Sequence, residues 1–297
     1  MAYLMDIGFD NGSRLCRNVY YFEYKGIRFK LIQNNIRKWR DTLLTIIPER
    51  NNEEAKNRAY ITASEFLSAL SWQNNSLVKL GPSGGRGIPE NFQLRKAKCS
   101  SRTFPKIPFS GHKVGYDICC IPEVDNEEQR DALFLFREAS ACNNNYLSFL
   151  FFWQILEIGK GDPIGWINKA WRKNRNKISL PNTHIERLHL NGKSLGQYFK
   201  DYRDAIAHIS TLKAKDLRLK LDLPAENIRI TYSTWVIQEF GRFYIRNKLK
   251  VEKSMYLLRK RGKGFPTYLT EEDAKRFPGT IAYKRLRHNE IRKKRWY

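Results

Sequence analysis

Between Asn143 and Ile158 the chain carries Tyr146, Leu147, Phe149, Leu150, Phe151, Phe152, Trp153, Ile155 and Leu156. At about 100° per residue these side chains cover nearly every side of a helix, so the segment predicts a helix that other helices must bury. Its apolar run of about fourteen residues falls short of the roughly twenty that cross a bilayer. Glu157 is the exception on this helix, because it shares a face with Tyr146 and Trp153. A carboxylate there needs a partner or a way out to water. Orienting an arginine on a neighbouring helix and escaping to solvent near the helix end both satisfy that demand.

The flanking sequence supplies the other helices. Asp125–Ser140 opens with acidic residues, as the positive end of a helix dipole favours. Gly159–Pro163 ends the apolar helix, and Pro163 suits the start of the next. That next stretch mixes Trp166 and Trp171 with Lys169, Arg172, Lys173, Arg175 and Lys177. The tryptophans read as anchors, and the cations, Lys169, Arg172, Lys173 and Arg175 first, as contacts to nucleic-acid phosphates. Pro224–Leu249 spaces Ile228, Tyr232, Trp235, Val236, Phe240, Phe243 and Tyr244 along one side of a long helix. Four or five such helices with short links make a bundle.

Within that bundle, Ser194–Ser210 sets Leu195, Tyr198, Phe199, Tyr202, Ala205, Ile206 and Ile209 on one apolar stripe. Arg203 and His208 fall outside the stripe. In the string YRDAIAHI, Arg203, Asp204 and His208 make an Arg-x4-His pattern, and in this it resembles the HEPN ribonuclease superfamily. The resemblance covers the second half of the chain and implies a metal-independent endoribonuclease that attacks RNA with its own 2′-OH. By the same resemblance Arg203 and His208 are catalytic, Asp204 holds their geometry, and a homodimer through the Arg203–His208 helix lines the cleft. It further implies a toxin or antiviral effector, with a separate regulator or antitoxin as a possible partner. Five residues turn a straight helix by about 500°, so the two side chains diverge by roughly 140°; a kink or the dimer must bring them together. A guanidinium matches phosphate oxygens and an imidazole titrates near neutrality, which suits those roles. The alternatives are a binding-only RNA or nucleotide sensor on the same bundle, and a basic nucleic-acid-binding scaffold. His184 and His189, flanking Arg187, are spare candidates for chemistry.

Charge points the same way. The formal net charge is +24, which raises the self-repulsion of a folded chain and points to a polyanionic partner, nucleic acid ahead of an acidic membrane. Five cysteines, Cys16, Cys99, Cys119, Cys120 and Cys142, are scattered without CxxC spacing. Free thiols, a cytoplasmic location, and neither metal nor cofactor are the expectation.

The N-terminal part reads differently. Residues 19–47 are rich in β-branched and aromatic residues, with Lys25-Gly26 as a hairpin turn and Pro48 ending a later strand. Asn52–Trp72 spaces Ala55, Ala59, Ala63, Phe66, Leu67 and Leu70 as an amphipathic helix. GPSGGRG, Gly81–Gly87, lacks the Gly-Lys-Ser/Thr ending of a phosphate loop and reads as a surface loop. From Lys250 onward, fifteen Lys and Arg face five Asp and Glu, a net +10. This tail, with Arg292, Lys293, Lys294 and Arg295 near its end, reads as a basic arm on nucleic-acid backbone. The expected fold is α+β: an N-terminal α+β domain over 1–122, a HEPN-like helical bundle over 123–250, and a basic arm over 251–297.

Overall fold

The computed structural model describes residues 2–12, 15–33, 40–98, 118–159, 161–178, 180, 182–207, 224–258 and 264–277. The chain divides into two compact units: Met1–Val124 together with Glu252–Tyr297, and Asp125–Val251. A mixed α+β region is thus followed by a largely helical one, and the chain then returns to the first unit.

The first unit is an eight-stranded sheet in the order β5-β1-β4-β3-β2-β8-β7-β6. Its strands are β1 (Ala2–Asn11), β2 (Val19–Tyr24), β3 (Ile27–Ile32), β4 (Asp41–Pro48), β5 (Val78–Ile88), β6 (Cys120–Pro122), β7 (Ser254–Leu258) and β8 (Thr267–Leu269). Lys25 and Gly26 both take positive φ, 48° and 74°, as a tight turn with the twist of its strands requires. Alternation then sorts the side chains. Tyr20, Phe22 and Tyr24 of β2, Phe29 and Leu31 of β3, and Leu43 and Ile47 of β4 face one core with the helix α1 (Asn52–Asn74). Leu44 and Ile46 of β4 and Ile32 of β3 belong to a second cluster on the opposite face.

Asn51 caps α1 by accepting a hydrogen bond from the Glu54 N–H at 2.8 Å, a device that stabilises a helix by about 1 kcal/mol. Ala55, Ala59 and Ala63 recur every fourth residue and let the sheet approach the helix closely. α1 packs against β5 and against β6, the two edges of the sheet, so the sheet curls around the helix.

Two expectations are corrected here. The glycine-rich stretch is no loop: Gly81–Gly87 lies inside β5, paired antiparallel with β1. A register shift between Ile7 and Phe9 lets β5 bulge around Gly81 and Pro82, and β5 is an edge strand, where proline is tolerated. The described part of the expected basic arm is not an arm either. Residues 254–258 and 267–269 are central strands of the sheet, and Glu271–Lys275 forms the short helix α8. Tyr256, Leu258 and Tyr268 are buried there, and their apolar contacts outweigh the surrounding charge. Arg292, Lys293, Lys294 and Arg295 lie outside the described residues.

The second unit comprises α2 (Glu127–Ala141), α3 (Asn145–Glu157), α4 (Pro163–Asn174), α5 (Asn182–Glu186), α6 (Leu195–Ala207) and α7 (Pro224–Asn247). Asn126, Asn144 and Asp162 cap α2, α3 and α4 through their side chains, and Pro163 sits in the first turn of α4. α3 touches α2, α4, α6 and α7, the central position its composition predicts. Phe149, Phe152, Trp153, Ile155 and Leu156 are buried in that setting, whereas Leu147 is exposed.

Candidate functional site

The stripe on α6 is spent inside its own unit. Leu195, Tyr198, Phe199, Tyr202, Ala205 and Ile206 are all buried, with Phe149 of α3 lying 6.0 Å from Phe199 and 5.9 Å from Tyr202 between ring centres. The two tyrosine hydroxyls reach α7. Tyr202 donates to Glu226, and Tyr198 Oη lies 3.3 Å from Ser233 Oγ. Burial pushes the Tyr198 phenol up to about 12, against the opposing effects of Ser233 and Arg229. Burial first, then the hydrogen bond to Glu226, raises Tyr202 further. Both phenols therefore stay protonated at neutral pH, as the donation from Tyr202 to Glu226 requires.

On the outer side of α6, Arg203 is 34% exposed and meets two carboxylates. Its Nη2 donates to Glu157 Oε1 at 3.2 Å and its Nη1 to Asp204 Oδ1 at 2.9 Å. Glu157 also accepts from the Trp153 indole at 2.6 Å, which answers why a carboxylate stands on that face of α3. Asp204 takes a second partner, the Lys200 ammonium at 2.6 Å. Partial burial acts to raise the Asp204 carboxyl, but the hydrogen bonds and charges of Lys200 and Arg203 outweigh it and hold it below the usual carboxylate value. Lys193 and Asp201 make a further pair at 2.6 Å. Arg203, Lys200, Glu157 and Asp204 together sum to zero charge. A carboxylate on either side of the Arg203 guanidinium offsets its charge and weakens its pull on a phosphate. His208, the imidazole expected beside it, lies outside the described residues.

α4 is built differently. Trp166 packs its ring against Phe240, Phe243 and Tyr244 of α7, and Trp171 packs against Phe240. With the aromatic side anchored, Lys169, Arg172 and Lys173 point to solvent within an arc of about 100°. Arg175, in the turn after α4, sits 4.9 Å over the Trp171 ring, a cation on an aromatic face. Among the described residues, Lys169, Arg172 and Lys173 have no carboxylate partner. Helical spacing made this face legible in the sequence.

His184 is taken up by packing: its ring lies 5.2 Å from Tyr232 and 5.3 Å from Trp235, both on α7. Arg187 covers the Tyr232 ring at 5.3 Å. His189 is exposed on a positive-φ turn. Glu226 and Lys200 were not foreseen. The Lys200–Asp204 pair has the (i, i+4) spacing that signals such a contact, whereas nothing in the sequence links Glu226 to Tyr202.

Fold and site together define a two-unit α+β protein whose helical unit carries one charge-balanced cluster and one cationic face without a carboxylate partner among the described residues. Residues 132–242 of the chain match the family model described as Methylamine utilization protein MauJ. Comparison with curated proteins and with solved structures gives no match. The family match spans most of the helical unit and names a family other than the HEPN ribonucleases. It overturns the resemblance drawn from Arg203, Asp204 and His208, and with it the HEPN, ribonuclease, nuclease, toxin and antiviral expectations that depended on it. A pattern of one arginine and one histidine is too short to outweigh a match over most of a unit.

Proposed function

We propose that the chain is an RNA-binding protein that holds single strands on the cationic face of α4 and leaves them intact. The observation that carries this reading is the contrast between two sets of cations in one unit. Arg203, Lys200 and Lys193 are each tied to a carboxylate, whereas Lys169, Arg172 and Lys173 stand exposed with no ion pair among the described residues. Unpaired surface cations raise self-repulsion in a chain already at +24, and a phosphate backbone relieves it. Arg175 on Trp171 adds the planar surface on which bases stack. The matched family's name speaks of methylamine utilization. A small cationic amine gives no reason for this charge, and a polyphosphate does.

The test is fluorescence anisotropy of a labelled single-stranded RNA in EDTA across a salt series. Changing Lys169, Arg172 and Lys173 to Gln removes three phosphate contacts, so the slope of log K against log salt should flatten by about 2. The melting temperature should not fall, because none of the three has an ion pair among the described residues. An unaltered slope in the triple variant sinks the reading, and RNA shortened by the wild-type protein replaces it with cleavage.

A further inference from the structure

The outer face of the sheet in the first unit carries a cavity that the RNA-binding reading does not use. Alternation puts Tyr21 and Glu23 of β2, Arg28 and Lys30 of β3, and Ile46 of β4 on the face away from α1. The chain after β5 crosses this face and is fastened to it by Lys30, whose ammonium donates to the Arg95 carbonyl at 2.9 Å and the Ala97 carbonyl at 2.7 Å. Lys30 is only 9% exposed, and its hydrogen-bond partners among the described residues are carbonyls, not a carboxylate. Carbonyl acceptors do not offset a positive charge as a carboxylate does, so this corner of the sheet favours an anion nearby.

The rings and guanidiniums follow from that anchoring. Arg28 and Arg95 both stand 5.6 Å from the Phe265 ring centre, and Tyr21 meets Phe265 edge-on at 5.8 Å. Arg28 uses Nε on its cross-strand neighbour Glu23 at 3.2 Å, an arrangement that steadies the guanidinium. Ile46, Phe92 and Leu94 supply apolar lining and Gln93 an amide, and the half-open cavity has a volume of about 500 Å³. That size falls within the usual range for a small-molecule site.

We propose that this cavity binds a mononucleotide, with its phosphate on Arg28 and Arg95 and its base on the wall formed by Ile46, Phe92 and Leu94. A guanidinium pair matches phosphate oxygens. The apolar wall rewards a flat aromatic group and gives nothing to phosphate alone. The Gln93 amide offers both a donor and an acceptor to the edge of a base.

Isothermal titration of the full-length protein with AMP, GMP, UMP, adenosine and inorganic phosphate tests this. At least one mononucleotide should saturate the protein at one site, and adenosine and inorganic phosphate should each bind at least about tenfold more weakly. Arg28→Gln and Arg95→Gln should each weaken the nucleotide about tenfold, while Lys56→Gln on the exposed side of α1 leaves it unchanged. Thermal melting of each variant checks that the fold is intact. Absence of saturable nucleotide binding overturns the proposal, as does inorganic phosphate binding as tightly as the nucleotide. The same variants, run in the RNA anisotropy assay, should bind RNA like the wild type. A parallel loss there makes the cavity part of the RNA path and overturns it too, whereas failure of RNA binding in wild type alone leaves the nucleotide result standing.

Discussion

Asp204 shows how one carboxylate can balance a cluster. It joins Lys200, one turn back on α6, to Arg203, which in turn reaches Glu157 on α3. Its folded-state pKa is depressed by these cations, so its contribution to stability is complete above the unfolded value and disappears as pH falls through the folded one. Acidification below about pH 4 should therefore destabilise the wild-type helical unit in part through this group. Asp204→Asn should lower stability at neutral pH and flatten that acid limb, as read from urea midpoints between about pH 3 and 6. An acid limb of unchanged steepness in the variant refutes the coupling. The Glu157 end of the cluster was legible beforehand, since counting around α3 left a carboxylate on the Trp153 face in need of a partner. The Glu226 end was not. Helical periodicity says which side of α7 is buried, but not which polar group on α6 will stand opposite.

Among the elements, helices and strands were legible to different degrees. α1, α2, α3 and α4 declare themselves through local composition and a capping residue, and α6 and α7 through an apolar stripe, because a helix is satisfied within its own stretch of chain. The β2–β3 hairpin is equally local. β1 and β5 find their partners far along the chain, as β7 does in β6 and β8 in β2, and β5 hides behind glycines that read as a loop. Those glycines answer to their neighbours. A Cβ at Gly81 would run into the Arg40 guanidinium and lie 2.9 Å from the Gly8 carbonyl oxygen, and one at Gly85 would press on Met5 at 2.6 Å. Gly81→Ala must shift backbone as well as a side chain, and overpacking of this kind costs about 1–3 kcal/mol. Gly84→Ala meets nothing within 4 Å and serves as the control. Denaturant midpoints should separate the two variants; equal stability means that β5 is not held as closely against β1 as its register indicates.

At the scale of the whole molecule, the helical unit is an insertion within one antiparallel pair of strands. β6 and β7 pair antiparallel, with Pro122 opposite Ser254, and Glu123 N–H donates to the Lys253 carbonyl at 3.0 Å just beyond. Everything from Asp125 to Val251 leaves and returns at that one point. The helical unit closes its own base as well, through the Gln129 side-chain amide to the Leu249 carbonyl at 2.8 Å. Sequence reading ended the first domain at residue 122, and the chain divides after Val124. Past residue 250 the charge masked short strands whose partners lie in the first unit. Termini of an insertion held this close can be joined by a tight turn, because closing a short loop costs little entropy. Replacing residues 125–251 by a two-residue Asn-Gly turn should leave a sheet-rich protein that melts cooperatively. Tyr268→Ala in that shortened chain should then cost about 3–5 kcal/mol, since the ring packs with Phe22, Tyr24 and Phe66 in the core around α1. A shortened chain that is unfolded, or one indifferent to the loss of Tyr268, means that the returning segment is not part of the sheet's core.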